Sequence, residues 1–414
     1  MNQLNPKLRW PLDIQRHSAG SENLIVLTCP LGVTEKPLVL VSAVGPLLGG
    51  LNGSKSIEEL AQDFAKVGVQ RSLLDELLKL LDDHLFLEND RFLSARDKSS
   101  HDFLNNPIRP AALAGLTYSN NPQELTKEID SFLSVARIVD ATNSSITPLA
   151  TLISPHIDYR RGGTCYGSAY QNLKGDQADI YILIGTSHQY SELLFHLTKK
   201  DFTSPLGQLP CDRTFVESLA NLYGEKHSFQ DQILHRKEHS LELQVPFISR
   251  VKPGATIVPI LVGGFHQMLQ SGKLPDETPL YNDFVTALCE TIKQANKQGR
   301  YVTFIAGVDM AHVGKHFGDK NSLTPDFMET VRERDSDYLE AISSADKKKL
   351  FNHIALDNDA RKICGFPTMY TILDVAERLH WKLNCKVFDY QQAVDYQSDC
   401  AVTFAALGLY HNPI

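Results

Sequence analysis

Apolar and polar positions alternate differently in two stretches of the chain. Up to about residue 95 the apolar positions recur at helical spacing. Ile57, Leu60, Ala61 and Phe64 fall on one helical face behind Ser56-Ile-Glu-Glu59, where Ser56 caps the start and Glu59 reaches back to its amide. Leu73, Leu74, Leu77, Leu78 and Leu81 give a second helix, opening at Ser72, a broad apolar stripe. Leu85-Phe-Leu87 and Arg91-Phe-Leu93, on either side of Glu88-Asn-Asp90, predict a short hairpin or wing. Helix, helix and hairpin together predict a small winged-helix-like domain. Arg96-Asp-Lys-Ser-Ser-His-Asp102 is polar and without pattern, and predicts the linker that ends it.

From about Asn106 the pattern changes. Asn121-Pro-Gln-Glu124 predicts a capped helix running to about Val135, with Pro122 at its first position and Glu124 completing a capping box. Apolar runs at about 149–154, 180–184, 256–262, 301–306 and 401–407 predict buried strands. Helical patterns near 212–223, 279–298, 326–343 and 366–379 lie between them, and the Gly162-Gly163 turn is expected to open another. Strands alternating with helices predict an α/β fold over residues 106–414: a mostly parallel central sheet flanked by helices, preceded by the small domain and its linker at 1–105. Such sheets bind ligands beyond the carboxyl ends of their strands. Three of the runs end there in metal-competent side chains: Thr151 to His156, Ile180 to His188, and Tyr301 to Asp309-Met-Ala-His312.

Composition narrows the classes. At 414 residues with 42% hydrophobic and 22% charged residues, the chain has the make-up of an ordinary globular protein of two or three domains. The formal net charge of -8 gives no attraction to nucleic acid or to an acidic membrane surface. Residues 1–105 carry 11 Lys/Arg against 14 Asp/Glu, so the winged-helix-like domain lacks a duplex-binding face and suits protein or peptide docking. Seven scattered cysteines without a C-x-x-C pair argue for a reducing compartment. With no apolar leader at the N-terminus and no run long enough to span a bilayer, a cytoplasmic protein is expected.

The polar segments Ser154-Pro-His156, Gly185-Thr-Ser-His188, Glu238-His-Ser-Leu-Glu242, Asp309-Met-Ala-His312 and Ile363-Cys-Gly365 carry the candidate chemistry. They lie in an order that resembles the Memo family. Arg109-Pro-Ala, Ala114-Gly-Leu-Thr-Tyr118, Ser204-Pro-Leu-Gly207 with Asp212, His239 to Phe247, and Val258 to Gly263 complete the likeness over about residues 107–414. The first domain, with Leu51-Asn-Gly-Ser-Lys-Ser56 at its helix entry, is similar to peptide-binding modules of the PqqD type. The whole chain resembles the longer bacterial members, the AmmeMemoRadiSam system protein B group. The resemblance implies a fold like that of the class III extradiol dioxygenases. It implies one transition-metal ion held by His156, His188 and Cys364, with Asp309, His312 and His239 lining the same site as catalytic candidates. It also implies AMMECR1-like and radical-SAM partner proteins and a small-molecule or peptide substrate.

Two imidazoles and a thiolate suit iron, copper or zinc, and three ligands leave a position open. A cysteine in place of the carboxylate of non-haem iron oxygenases is itself oxidisable, so the dioxygenase-like fold does not by itself imply ring-cleaving activity, and whether the chain is an enzyme is left open. Cys364, before Gly365-Phe-Pro367, also reads as a small buried residue at a helix start. Arg160 and Arg161 read either as contacts for an anionic substrate or as surface charges. Two other functions use the same letters: a non-catalytic docking component, and a zinc peptidase built on His235-Arg-Lys-Glu238-His239, which matches H-x-x-E-H. His17, His84, His101, His227, His353, His380 and His411 sit in polar sequence and are expected in solvent.

Overall fold

A computed structural model describes residues 5–19, 22–29, 33–34, 36–136 and 148–412, and the chain divides into two units, Met1–Asn105 and Asn106–Ile414. In the first, the antiparallel strands Asp13–Ala19, Glu22–Thr28 and Leu38–Val41 pair in chain order. The helices Gly45–Gly50, Ile57–Ala65, Arg71–Asp83 and Asp90–Asn105 follow. The expected capping box is present: Glu59 N–H donates to Ser56 Oγ at 3.2 Å, and Ser56 N–H to the Glu59 carboxylate at 2.7 Å. Leu74, Leu77, Leu78 and Leu81 are buried on the next helix, whereas Leu73 faces solvent.

The wing and the linker are corrected. Residues 90–105 form one helix through both, with Phe92 and Phe103 buried eleven residues, about three turns, apart. Asn89 Oδ1 accepts the Phe92 N–H at 3.0 Å and starts the helix. Two apolar triplets are too short to show whether their period is 2 or 3.6, and this start signal decides the matter.

In the second unit the main sheet runs in the order His312–Val313, Cys400–His411, Leu149–Ser154, Val302–Gly307, Ile180–Thr186, Ile257–Val262, Phe195–Leu197. The strands Leu149–Ser154, Val302–Gly307, Ile180–Thr186 and Ile257–Val262 are parallel and buried at every residue, which explains their unbroken apolar runs. The outer members are antiparallel, including Leu383–Asp395, which pairs with Cys400–His411. The sheet is therefore mixed, with a parallel centre. Ile182 and Ile184 join one apolar layer, with Phe284, Leu288 and Leu373 from the helices Pro279–Lys297 and Phe366–Arg378. Tyr181 and Leu183 point into the other, with Leu125, Ile129, Tyr166 and Phe247. Asn121 caps the helix Pro122–Ser134 as expected, but Glu124 accepts the Ser119 hydroxyl instead of closing a box. Gly162 and Gly163 lie inside the helix Tyr159–Leu173 and do not open it; a Cβ on Gly163 would run into the Phe132 ring. No helix among the described residues is long and apolar enough to cross a membrane.

Candidate metal centre

Register brings the candidate residues together. Gly307 pairs with Ser154 on one side and Gly185 on the other, so three strands end level and their next residues leave the sheet at one place. His156 lies two residues past Ser154, Asp309 two past Gly307, and His188 two past Thr186. The segment Glu238–Glu242 packs directly over these ends. A Cβ on Gly307 would collide with Ser240 O, and one on Gly185 would come within 2.8 Å of Ser240 Oγ. Gly307 needs glycine because backbone passes over it, and Gly185 because the Ser240 and Leu241 side chains do.

His156, His188 and His239 each offer a nitrogen within 4.8 Å of the others. His156 is buried. Its Nδ1 faces Gly307 O at 3.0 Å, and since a carbonyl only accepts, the proton sits on Nδ1 and Nε2 is left for a ligand. Glu238 serves the other two. It accepts His188 N–H at 2.8 Å and His188 Nδ1 at 2.9 Å, lies 3.3 Å from His239 Nδ1, and caps the short helix His239–Glu242 through Ser240 N–H. Carboxylates and carbonyls behind the Nδ1 atoms orient imidazoles at metal sites in this way. Burial lowers the His156 pKa, with the neighbouring His188 and His239 rings acting in the same direction. Burial likewise brings His239 down to about 4. It also lowers His188, but the Glu238 charge and hydrogen bond outweigh it and the net shift is upward.

Asp309 accepts His156 N–H at 2.8 Å, and its other oxygen lies 3.7 Å from His156 Nε2. Burial raises its carboxyl to about 7, against the pull of backbone N–H groups. Cys364 Sγ lies 3.2 Å from His156 Nε2. Two ligands of one tetrahedral ion at ordinary Zn–N and Zn–S lengths stand roughly 3.5 Å apart, so this spacing suits a shared ion. Burial holds the thiol pKa well above its usual range; a cation held there would favour the thiolate instead. His312 is held by its backbone, which donates to Arg361 O at 2.7 Å, and by Nδ1, 3.1 Å from both Met310 O and Lys362 O. Burial brings its pKa to about 4.

Ring orientation distinguishes the histidines. The rings of His188 and His239 stack at 4.3 Å and 26°, while His156 stands at 70° and 73° to them. A ligand lone pair lies in the ring plane. Two nearly parallel planes held apart by a stacking distance do not meet within bonding range of one ion. His156 stands edge-on to both; among the described residues the ligand atoms that all lie within 4.8 Å of one another are those of His156, His188 and His239, and Cys364, outside that group, reaches His156 Nε2. The side chains of His188 and His239 are 35% and 38% exposed against 2% for His156, so the cluster opens to solvent on their side.

The peptidase motif does not assemble. His235 is buried with Nε2 against His196 O at 3.0 Å, away from His239, and Glu238 is committed to His188. His353 is corrected too: it is buried and accepts from Arg361 Nη2 at 2.6 Å. Arg161 pairs with Asp158 at 2.6 Å. The role of Glu238 was missed in sequence, although its place immediately before a short His-led helix marked a capping position. A cavity of about 1190 Å³, mostly apolar and lined by Leu149, Val302, Tyr301 and Trp381, lies at the opposite ends of the strands.

Fold and site together define an α/β protein whose strand ends carry a candidate transition-metal centre. The chain belongs to the Memo family: residues 109–408 match the model of Memo-like proteins. It is similar to a MEMO1 family protein of Aquifex aeolicus (strain VF5), 26% identical over 412 residues, covering 98% of this chain and 100% of the relative. A MEMO1 family protein of Archaeoglobus fulgidus is 28% identical over 260 residues, 63% of this chain and 83% of its own. One from Methanobrevibacter smithii is 24% identical over 300 residues, 70% and 95% of the two chains. The family model begins at the start of the second unit, whereas the Aquifex alignment spans both.

Proposed function

We infer that this chain is a Memo-family metalloprotein that binds one transition-metal ion through His156, His188 and Cys364 and acts on a small molecule beside it. The observation that carries the reading is the arrangement behind the imidazoles. Gly307 O and the Glu238 carboxylate occupy the Nδ1 sides of His156 and His188, which leaves their Nε2 atoms for a ligand, and Cys364 Sγ lies 3.2 Å from His156 Nε2. The soft thiolate favours copper(I), zinc or iron(II) over a hard cation. When bound, the ion would polarise an oxygen ligand in its open position. Asp309 fixes His156 through its backbone N–H, and His239, stacked on His188, borders the open side. His312, held on its Nδ1 side, offers Nε2 for proton transfer. The setting we propose, on the strength of the resemblance, is a cytoplasmic complex with AMMECR1-like and radical-SAM proteins, in which the first unit docks partners or peptide.

Metal analysis of protein purified without oxygen tests the reading. Wild type is expected to carry close to one ion. His188→Ala and Cys364→Ala lose most of it, and His239→Ala keeps it. Equal metal in wild type, His188→Ala and Cys364→Ala sinks the ligand assignment. Turnover with the partners separates catalysis from docking: for a catalytic role, metal-site variants bind the partners normally and form no product.

A further inference from the structure

Two segments bring the acid–base and thiol groups to the site, Asp309–His312 and Arg361–Cys364, and neither lies in a helix. The approach to Cys364 has an unusual backbone: Asn358, Asp359 and Lys362 have φ of 52°, 55° and 52°, left-handed values that Asn and Asp accept more readily than other residues with a Cβ but that are disfavoured for Lys362. Such a segment keeps its shape only if its surroundings hold it.

One buried carboxylate reaches both segments. Asp335, fully buried on the helix Pro325–Ser343, pairs through Oδ1 with Arg361 Nη1 at 2.5 Å. Its Oδ2 accepts the Thr403 hydroxyl at 2.6 Å and the Tyr390 hydroxyl at 2.9 Å. Thr403 passes the constraint on. Its hydroxyl accepts Ala311 N–H at 2.9 Å, its carbonyl accepts Met310 N–H at 2.8 Å, and its own N–H donates to Ala311 O at 2.9 Å. The other arm of Arg361 donates to His353 Nε2, since a guanidinium has no acceptor. His312 then ties the segments together through Arg361 O and Lys362 O.

We propose that Asp335 is a positioning residue of the metal centre: through Arg361 it sets Cys364 against His156, and through Thr403 it sets Asp309 and His312. The inference rests on the metal-site reading above. A buried ion pair is a poor device for stability alone, because apolar residues of the same volume serve as well or better. Of the three bonds that Asp335 accepts, one comes from Arg361 at the head of the Cys364 segment and one from Thr403, which in turn bonds Met310 and Ala311.

The test compares Asp335→Asn and Arg361→Lys with wild type. Asp374→Asn is the control for losing a buried carboxylate elsewhere, since Asp374 pairs with Lys347 and Arg378. Each protein is loaded with stoichiometric cobalt(II) without oxygen, and the thiolate-to-cobalt charge-transfer band, cobalt affinity and thermal midpoint are recorded. In metal-free protein the alkylation of Cys364 by iodoacetamide is followed by peptide mass spectrometry. Asp335→Asn and Arg361→Lys are expected to lose most of the band, bind cobalt about 10–100-fold more weakly, and alkylate Cys364 several-fold faster. Asp374→Asn keeps the wild-type band and rate whatever its midpoint. A wild-type band and alkylation rate in both site variants overturn the proposal, as does an equal loss in Asp374→Asn. If Asp335→Asn does not fold, Arg361→Lys carries the same comparison. A wild-type chain without the band removes the thiolate from the metal reading, and the metal-free alkylation rates then decide the role of Asp335 alone.

Discussion

Glu238 gives one oxygen to His188 Nδ1, the other to His188 N–H, and caps the helix that carries His239. Glu238→Gln keeps the size but turns one acceptor into a donor. Metal affinity is expected to fall about 10–100-fold in a chelator competition, as for other groups that orient ligands; an unchanged affinity would place the orienting role elsewhere. Gly307→Ala forces Ser240 and the residues behind it off the strand ends, so it should lose metal while leaving the first unit's unfolding unchanged. A third residue-scale effect lies outside the metal cluster. Burial lowers the His235 pKa from 6.5 to about 3. The unfolded chain therefore takes up a proton below pH 6.5 that the folded chain refuses, and stability falls with pH from 6.5 down to about 3. At about 1.4 kcal/mol per unit, one such group contributes about 2 kcal/mol of loss between pH 6.5 and 5. His235→Gln should flatten that part of a urea-denaturation pH profile; an unaltered slope would contradict it.

Among the elements, the loop that carries Glu238 depends on a buried ion pair with the start of the second unit. Arg109 and Glu242, both fully buried, pair directly. Arg109 also donates to His235 O at 2.9 Å and to Glu238 O at 3.1 Å, while Glu242 accepts from Ala112, Leu113 and the Tyr118 hydroxyl. Removing one partner leaves a buried charge alone, so Arg109→Ala should destabilise the second unit by about 3–5 kcal/mol in chemical denaturation. The exposed cap at Ser56 gives the contrast: Ser56→Ala should cost the first unit about 1 kcal/mol and leave metal content unchanged. Long elements were legible in sequence because their periods repeat. The parallel strands and the helix Pro279–Lys297 lie where their apolar patterns put them. Short elements carry too few positions to show a period, and the supposed wing became the start of a sixteen-residue helix.

For the whole molecule, the division into Met1–Asn105 and Asn106–Ile414 predicts two transitions in thermal unfolding. A metal bound only by the folded second unit stabilises that unit by about 2.7 kcal/mol at one hundred times the dissociation constant. Adding zinc to metal-free protein should raise the midpoint of that transition and leave the first in place. Equal shifts in both would point to non-specific binding.

The chain's own letters determined the α/β class, the parallel centre and the strand-end location of His156, His188 and Asp309, because buried strands and the polar residues after them follow local rules of period and punctuation. They also held the ordered motifs that mark the Memo family. Tertiary structure decided what those rules do not reach. It put the Glu238 carboxylate behind two imidazoles and stacked His239 on His188. It turned His235 away from the site, and it placed a helix carboxylate, Asp335, behind the segment of Cys364. Each of these is a contact between residues far apart in the chain, fixed by strand register and by which face of an element meets the next, and no local pattern encodes it.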